Sequence, residues 1–213
     1  MKKIVIIGAN DFQNQLILKA KEMGFETHVF AWKDGSVGER TADYFYPISI
    51  VETEQILEKC REIKPDAVAS IASDLANITV SKVASGLGLP CNSQECIRLS
   101  TNKYAMREAF TQARIATPRF YRVDRIEPYL FGMKLPIIVK PTDRSGSRAI
   151  TKITDFENLE QAIRDAVAQS FCKEAIVEEY IEGAESSYET ISYQAKHTNL
   201  AVTKKYKTGS PHV

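Results

Sequence analysis

The chain has 213 residues, 44% of them apolar and 26% charged, and carries a net charge of +1. That balance suits one large or two small domains with buried cores, and it gives no electrostatic drive toward nucleic acid or an acidic membrane. The apolar run at residues 4–8 is far too short for a signal-peptide core or a membrane span.

Residues 3–8 read as a short, β-branched, buried strand. Phe12, Leu16, Ala20 and Met23 follow at helical spacing, and Gly24 closes that helix. Residues 27–31 form a second strand. Ile56, Leu57, Cys60 and Ile63 make another apolar stripe, stopped by Pro65. A strand at 67–72 and a helix at 78–87 lead to Gly88-Leu89-Pro90. Strands alternating with helices predict a parallel sheet with right-handed crossovers, a Rossmann-like α/β domain over residues 1–100.

The pattern changes from residue 101. Residues 102–113 are helical until Ala116-Thr117-Pro118 breaks the run, and strands follow at 120–123 and 136–140. Thr154-Asp155-Phe156-Glu157 has the form of a capping box. Behind it Leu159, Ala162, Ile163, Ala166 and Val167 trace one helix face. Strands are expected at 175–181, 186–194 and 200–206, so this region is α+β with antiparallel pairing. Residues 208–213 are loop-like directly after a strand, and the chain is expected to stop before its second domain closes.

Cys60, Cys91, Cys96 and Cys172 form no C-x-x-C pair and have no histidine at ligand spacing, so reduced, buried thiols in a cytoplasmic protein are expected. His28, His197 and His212 lack a visible catalytic partner.

Three segments carry chemistry. Gly8-Ala9-Asn10-Asp11-Phe12-Gln13 lies at a strand-to-helix turn but lacks two glycines of the dinucleotide fingerprint. A tight turn is the better reading there, and the missing glycines argue against a Rossmann-type oxidoreductase. Asn10 could still meet a polar group of a small substrate. Lys140 ends a hydrophobic strand and precedes a Ser145-Gly146-Ser147 loop, an arrangement that can deliver a point charge and backbone N–H groups to phosphate. It is no Walker A loop, since the lysine precedes the glycine. Finally, residues 175–185 run from apolar strand into Glu178-Glu179-Tyr180-Ile181, a Gly183 turn and Glu185. Such an edge can offer backbone groups to a purine and a carboxylate to sugar hydroxyls. Taken singly, each segment is also an ordinary turn, a solvated lysine or a charged edge strand.

Their order and spacing resemble the ATP-grasp superfamily, most nearly the branch of carbamoyl phosphate synthase, biotin carboxylase and the purine-pathway ligases. Ser73-Asp74, Gly88-Leu89-Pro90 and Thr101-Asn102-Lys103 extend the resemblance over the whole chain. The resemblance implies an ATP-grasp lid at about 116–180 and the start of the base, within a second domain at 101–213. It implies that Lys103 and Lys140 contact phosphates, and that Ser145, Gly146 and Ser147 lie in a mobile loop. Glu178, Glu179, Tyr180 and Ile181 would form the adenine hinge, and Glu185 would hold ribose. Ala149 stands where the family commonly has glycine, which puts loop closure in question. The implied activity is ATP-dependent carboxylate–amine ligation through an acyl phosphate, with a small carboxylate or amine as substrate. Asn10 and Asp74 are the candidate substrate contacts, and a homodimer is the family's habit. Mg2+ is implied for the full-length enzyme, but its ligands map to no residue here, so this chain alone is expected to be inactive. The alternative is a non-catalytic nucleotide-binding regulatory module.

Overall fold

The computed structural model describes residues 1–146 and 148–206. Two compact units divide between Met106 and Arg107.

In the first unit β1 (Lys3–Ile7), α1 (Asp11–Glu22), β2 (Glu26–Phe30), α2 (Val37–Thr41), β3 (Tyr44–Tyr46), α3 (Thr53–Ile63), β4 (Ala67–Ala69), α4 (Asp74–Gly86) and α5 (Gln94–Thr101) follow in order, and α6 (Lys103–Gln112) spans the division. The four strands are parallel, in the order β3-β2-β1-β4. Side chains alternate across the sheet. Val5 and Ile7 pack with Phe30, Ile56, Cys60 and Ile63, while Ile4 and Ile6 pack with Ile17, Ala20 and Val29. Both faces are covered, which is why β1 reads as an unbroken apolar run.

Several boundaries differ from the sequence expectation. The strand expected at 67–72 ends at Ala69, and α4 begins at Asp74 rather than 78 because the Ser73 hydroxyl accepts from Ala76 N at 3.1 Å. Among the cysteines, all free, only Cys60 is buried. Cys91, Cys96 and Cys172 are exposed, which corrects the expectation of buried thiols. Burial pushes the Cys60 thiol up to about 12. No described helix is long and apolar enough to cross a membrane.

Asp43 ties the β3 edge to the sheet. It accepts from Lys21 Nζ at 2.7 Å, Thr27 N at 2.9 Å and Thr27 Oγ1 at 2.8 Å. Burial opposes ionisation of Asp43, but these donors outweigh it and hold the carboxyl at about 2, against an ordinary 3.8. A depressed folded-state value stabilises the fold above the ordinary value and is lost as pH falls toward the folded one. Asp43→Asn is therefore expected to flatten the acid limb of stability between pH 3.8 and 2. Urea midpoints of both proteins across that window provide the check.

In the second unit β5 (Phe120–Val123), β6 (Ile137–Pro141), β7 (Thr151–Ile153), α7 (Leu159–Gln169) and β8 (Ala175–Glu179) build an antiparallel sheet of order β5-β8-β6-β7 with α7 against it. Ile137, Val139, Ala175 and Val177 share a core with Leu159, Ile163 and Ala166. The helix face read from sequence is thus the buried one. The capping box is corrected: Asp155, not Thr154, caps a 3-10 turn at Phe156–Asn158 that precedes α7. The strand expected to 181 ends at Glu179. Beyond it, β9 (Ser186–Tyr193) and β10 (Lys196–Lys204) form a separate two-stranded hairpin that starts four residues earlier on its second strand than expected.

Candidate functional site

Because Ile137, Val139 and Val177 point into the core beneath α7, alternation puts Ile138, Lys140, Ile176 and Glu178 on the other face of the sheet. The register pairs Ile138 with Glu178 and Lys140 with Ile176. Lys140 is therefore the diagonal neighbour of Glu178, within reach of a long side chain. Its ammonium donates to Glu178 Oε1, and Arg107 Nε on α6 donates to Glu178 Oε2 at 3.0 Å. One carboxylate, 5% exposed, thus lies between two cations.

An open cleft of about 250 Å³ lies over this face. Lys140, Glu178, Glu179, Tyr180, Ile181 and Glu185, all named from sequence, line it together with Arg107, Pro118, Ile138 and Ile150. Its volume falls just below the roughly 300–1,000 Å³ of ordinary ligand pockets. A larger depression of about 470 Å³, lined by Arg122, Asp124, Glu127, Lys173 and Glu174 among others, interleaves both charge signs and contains none of the sequence-named residues.

The residues at the end of β8 do different jobs. Glu179 uses its N–H on Arg119 O at 3.0 Å and its carboxylate on Arg119 N at 2.9 Å, so its side chain fixes the approach to β5. Tyr180 N donates to Pro136 O at 3.3 Å, and Lys152 Nζ lies 3.6 Å from the Tyr180 ring centroid, a cation–π contact that steadies the ring. Ile181 is the first residue past these ladder bonds and is 67% exposed. Glu185 pairs with Lys205 Nζ at 3.1 Å, and Lys205 N donates to Glu185 O at 2.9 Å.

The remaining sequence-named residues lie elsewhere. Ser145 and Gly146 are exposed in the loop after β6, Gly146 at φ +72°, and Ser147 lies outside the described residues. Ala149 in that loop adopts φ +52°. A Cβ in the left-handed region costs about 1–2 kcal/mol, which a glycine's extra unfolded-state freedom offsets only in part. Ala149→Gly is expected to raise stability by roughly 0.5–1 kcal/mol, read from chemical denaturation. Lys103 opens α6 in the first unit, behind the Asn102 cap, whose Oδ1 accepts from Ala105 N at 2.9 Å. Arg107, one turn further along α6, is the residue that lines the cleft.

Asn10 and Asp74 follow β1 and β4, the neighbouring strands between which the sheet order reverses, a common ligand position in open α/β sheets. Asn10 Oδ1 accepts from Phe12 N at 3.0 Å and Gln13 N at 3.4 Å, so it caps α1. Asp74 is exposed in the first turn of α4. Gly8, at φ +101°, would place a Cβ 3.0 Å from the Gln13 side chain, which donates to Ile71 O at 2.5 Å. That tight turn packs the Gln13 side chain closely against Gly8. His28 is buried, with its ring nitrogens on Tyr46 Oη at 3.0 Å and Glu26 at 2.8 Å. His197 meets Ser192 at 2.7 Å. His212 lies outside the described residues.

No group of three His, Cys, Asp or Glu residues among those described could hold a metal ion. Glu178 faces Lys140 and Arg107, Glu179 holds Arg119 N, and Glu185 pairs with Lys205. Each of these carboxylates is engaged by a cation or a backbone N–H, and together they do not fit a divalent cation.

A family model for the ATP-grasp domain matches residues 100–210. The chain belongs to the ATP-grasp family. Among curated proteins it is similar to formate-dependent phosphoribosylglycinamide formyltransferase of Prochlorococcus marinus subsp. pastoris, 24% identical over 187 residues that cover 84% of this chain and 48% of that protein. The same enzyme of Saccharolobus solfataricus is 21% identical, covering 84% of this chain and 47% of that protein. Among solved structures, an L-amino acid ligase from Bacillus licheniformis superposes with a TM-score of 0.81 at 21% identity, covering 99% of this chain and 52% of that one. An N5-carboxyaminoimidazole synthetase from Staphylococcus aureus complexed with ADP gives 0.76 at 16%, covering 97% and 55%. These likenesses support an ATP-grasp fold. The chain spans about half the length of the relatives it matches.

Proposed function

We propose that the chain is the ATP-binding part of an ATP-dependent carboxylate–amine, or related, ligase that works through an acyl phosphate. The observation that carries this reading is the cleft on the outer face of the antiparallel sheet, where Lys140 and the Glu178–Ile181 segment converge in a chain of the ATP-grasp family. Ile138 and Ile150 supply apolar walls for a purine ring. Glu178 can accept from adenine's exocyclic amino group, whereas guanine would present a carbonyl to the same carboxylate. Ile181 offers its backbone past the end of β8, and Glu185 accepts from ribose hydroxyls. Lys140 reaches phosphate by exchanging its Glu178 contact, and Arg107 keeps that carboxylate paired as the lysine leaves. Lys103 and the loop containing Ser145, Gly146 and Ser147 complete the phosphate contacts in this reading, with Asn10 and Asp74 toward the substrate.

Ligase chemistry also needs charge neutralisation on the transferring phosphoryl group, which the described carboxylates do not arrange. That task falls to parts that a chain of half the relatives' length does not span. Calorimetric titration of the purified chain with ATP, GTP and NAD tests the reading. One saturable ATP site per chain, weaker GTP binding and no ATP turnover are expected. NAD binding in place of ATP would point to an oxidoreductase, and turnover by this chain alone would overturn the division of labour.

A further inference from the structure

The segment after β6 is held at its root and exposed at Ser145 and Gly146. Thr142 is fully buried, and its N–H donates to Glu174 O at 3.2 Å, extending the β6–β8 ladder by one residue. Asp143 then turns toward the connection between α7 and β8. Its Oδ1 accepts from Ser170 Oγ at 2.9 Å and Phe171 N at 3.1 Å, and its Oδ2 accepts from Cys172 N at 2.7 Å. Ser170 is 1% exposed, ends α7, and accepts from Glu174 N at 3.2 Å, so the clamp is part of the packed unit. The Arg144 guanidinium follows, 4.4 Å above the Phe171 ring. Burial opposes ionisation of Asp143, but the Cys172, Ser170 and Phe171 donors prevail and hold its carboxyl below the usual range. Past Arg144, Ser145 and Gly146 are exposed, and a Cβ at Gly146 would meet nothing within 4 Å.

We propose that Asp143 is a positioning residue for phosphate binding: it fixes the root of the loop to the α7–β8 connection and so sets where Ser145 and Gly146 are presented. This rests on the nucleotide reading above. Three hydrogen bonds to one carboxylate, two of them from consecutive backbone N–H groups, leave that root little freedom. The loop then departs from a fixed origin at Arg144. A loop without the clamp would spread over many positions and lose phosphate contacts while leaving the purine end of the cleft intact.

Asp143→Asn tests this with little change of shape, since it replaces one oxygen by an N–H donor and forces a mismatch with Phe171 N or Cys172 N. ATP and adenosine are titrated calorimetrically into wild type, Asp143→Asn and Ser170→Ala, with thermal unfolding of each as a folding check. Asp143→Asn is expected to weaken ATP about tenfold and to leave adenosine within about twofold. Ser170→Ala, which removes one of the three bonds, is expected to fall between. Equal losses of ATP and adenosine would reduce Asp143 to a merely structural residue and overturn the proposal. Wild-type ATP affinity in both variants would do the same. Failure of the wild type to bind ATP would instead remove the nucleotide reading on which the proposal stands.

Discussion

Glu178→Ala is expected to cost the second unit roughly 3 kcal/mol of unfolding free energy, the scale for breaking a buried ion pair from one side. The carboxylate side chain is 6% exposed, and its partners Lys140 and Arg107 are 15% and 22% exposed. All three lie below the exposure at which solvent screening erases such effects. Removing the one anion leaves two cations facing each other over an apolar floor that includes Ile138 and Ile176. Removing one cation is milder. Arg107→Gln leaves a neutral Lys140–Glu178 pair and is expected to cost only about 1 kcal/mol. Urea denaturation of the three proteins decides it. A Glu178→Ala variant within about 0.5 kcal/mol of wild type would mean that the cations relax into water and that the pair does not brace the cleft.

Lys140→Met carries the larger functional effect. It removes the ammonium while keeping an apolar stem of similar length along the sheet, and Arg107 still neutralises Glu178. Stability should therefore change little. ATP affinity is expected to fall roughly 30-fold, the equivalent of about 2 kcal/mol for a hydrogen bond to a charged group, with adenosine nearly unaffected. Competition titrations with both ligands check the split. Equal weakening of both would place Lys140 at the purine end rather than the phosphate end.

Lys140 and Glu178 were legible in sequence as charged residues that end apolar runs, but their shared face was not, because neither run alternates. The α7 stripe was legible because Leu159, Ala162, Ile163 and Ala166 recur at helical spacing. Arg107 was not, since its partner lies 71 residues away and an arginine on a helix looks like any solvated arginine. Lys152 over Tyr180 and Lys205 beside Glu185 escaped for the same reason: cross-strand and cross-loop pairs leave no local signature. Sequence also could not divide Glu178 from Glu179. Adjacent residues on a strand face opposite ways, so one carboxylate enters the cleft and the other ties down Arg119. The capping box failed by one residue because Thr154 and Asp155 are both competent caps, and a 3-10 turn selected the second. β3, three residues long, is too short for periodicity to register.

The proposed function puts adenine in the cleft over β6 and the end of β8, and not at the Gly8 turn. Photolabelling with an azido-adenine analogue of ATP, followed by peptide mapping, tests it most directly. Label is expected on the segment from Ala175 to Glu185 or on Ile150, suppressed by excess ATP. Label on residues 8–13, equally suppressed by ATP, would place the nucleotide in the first unit and contradict it.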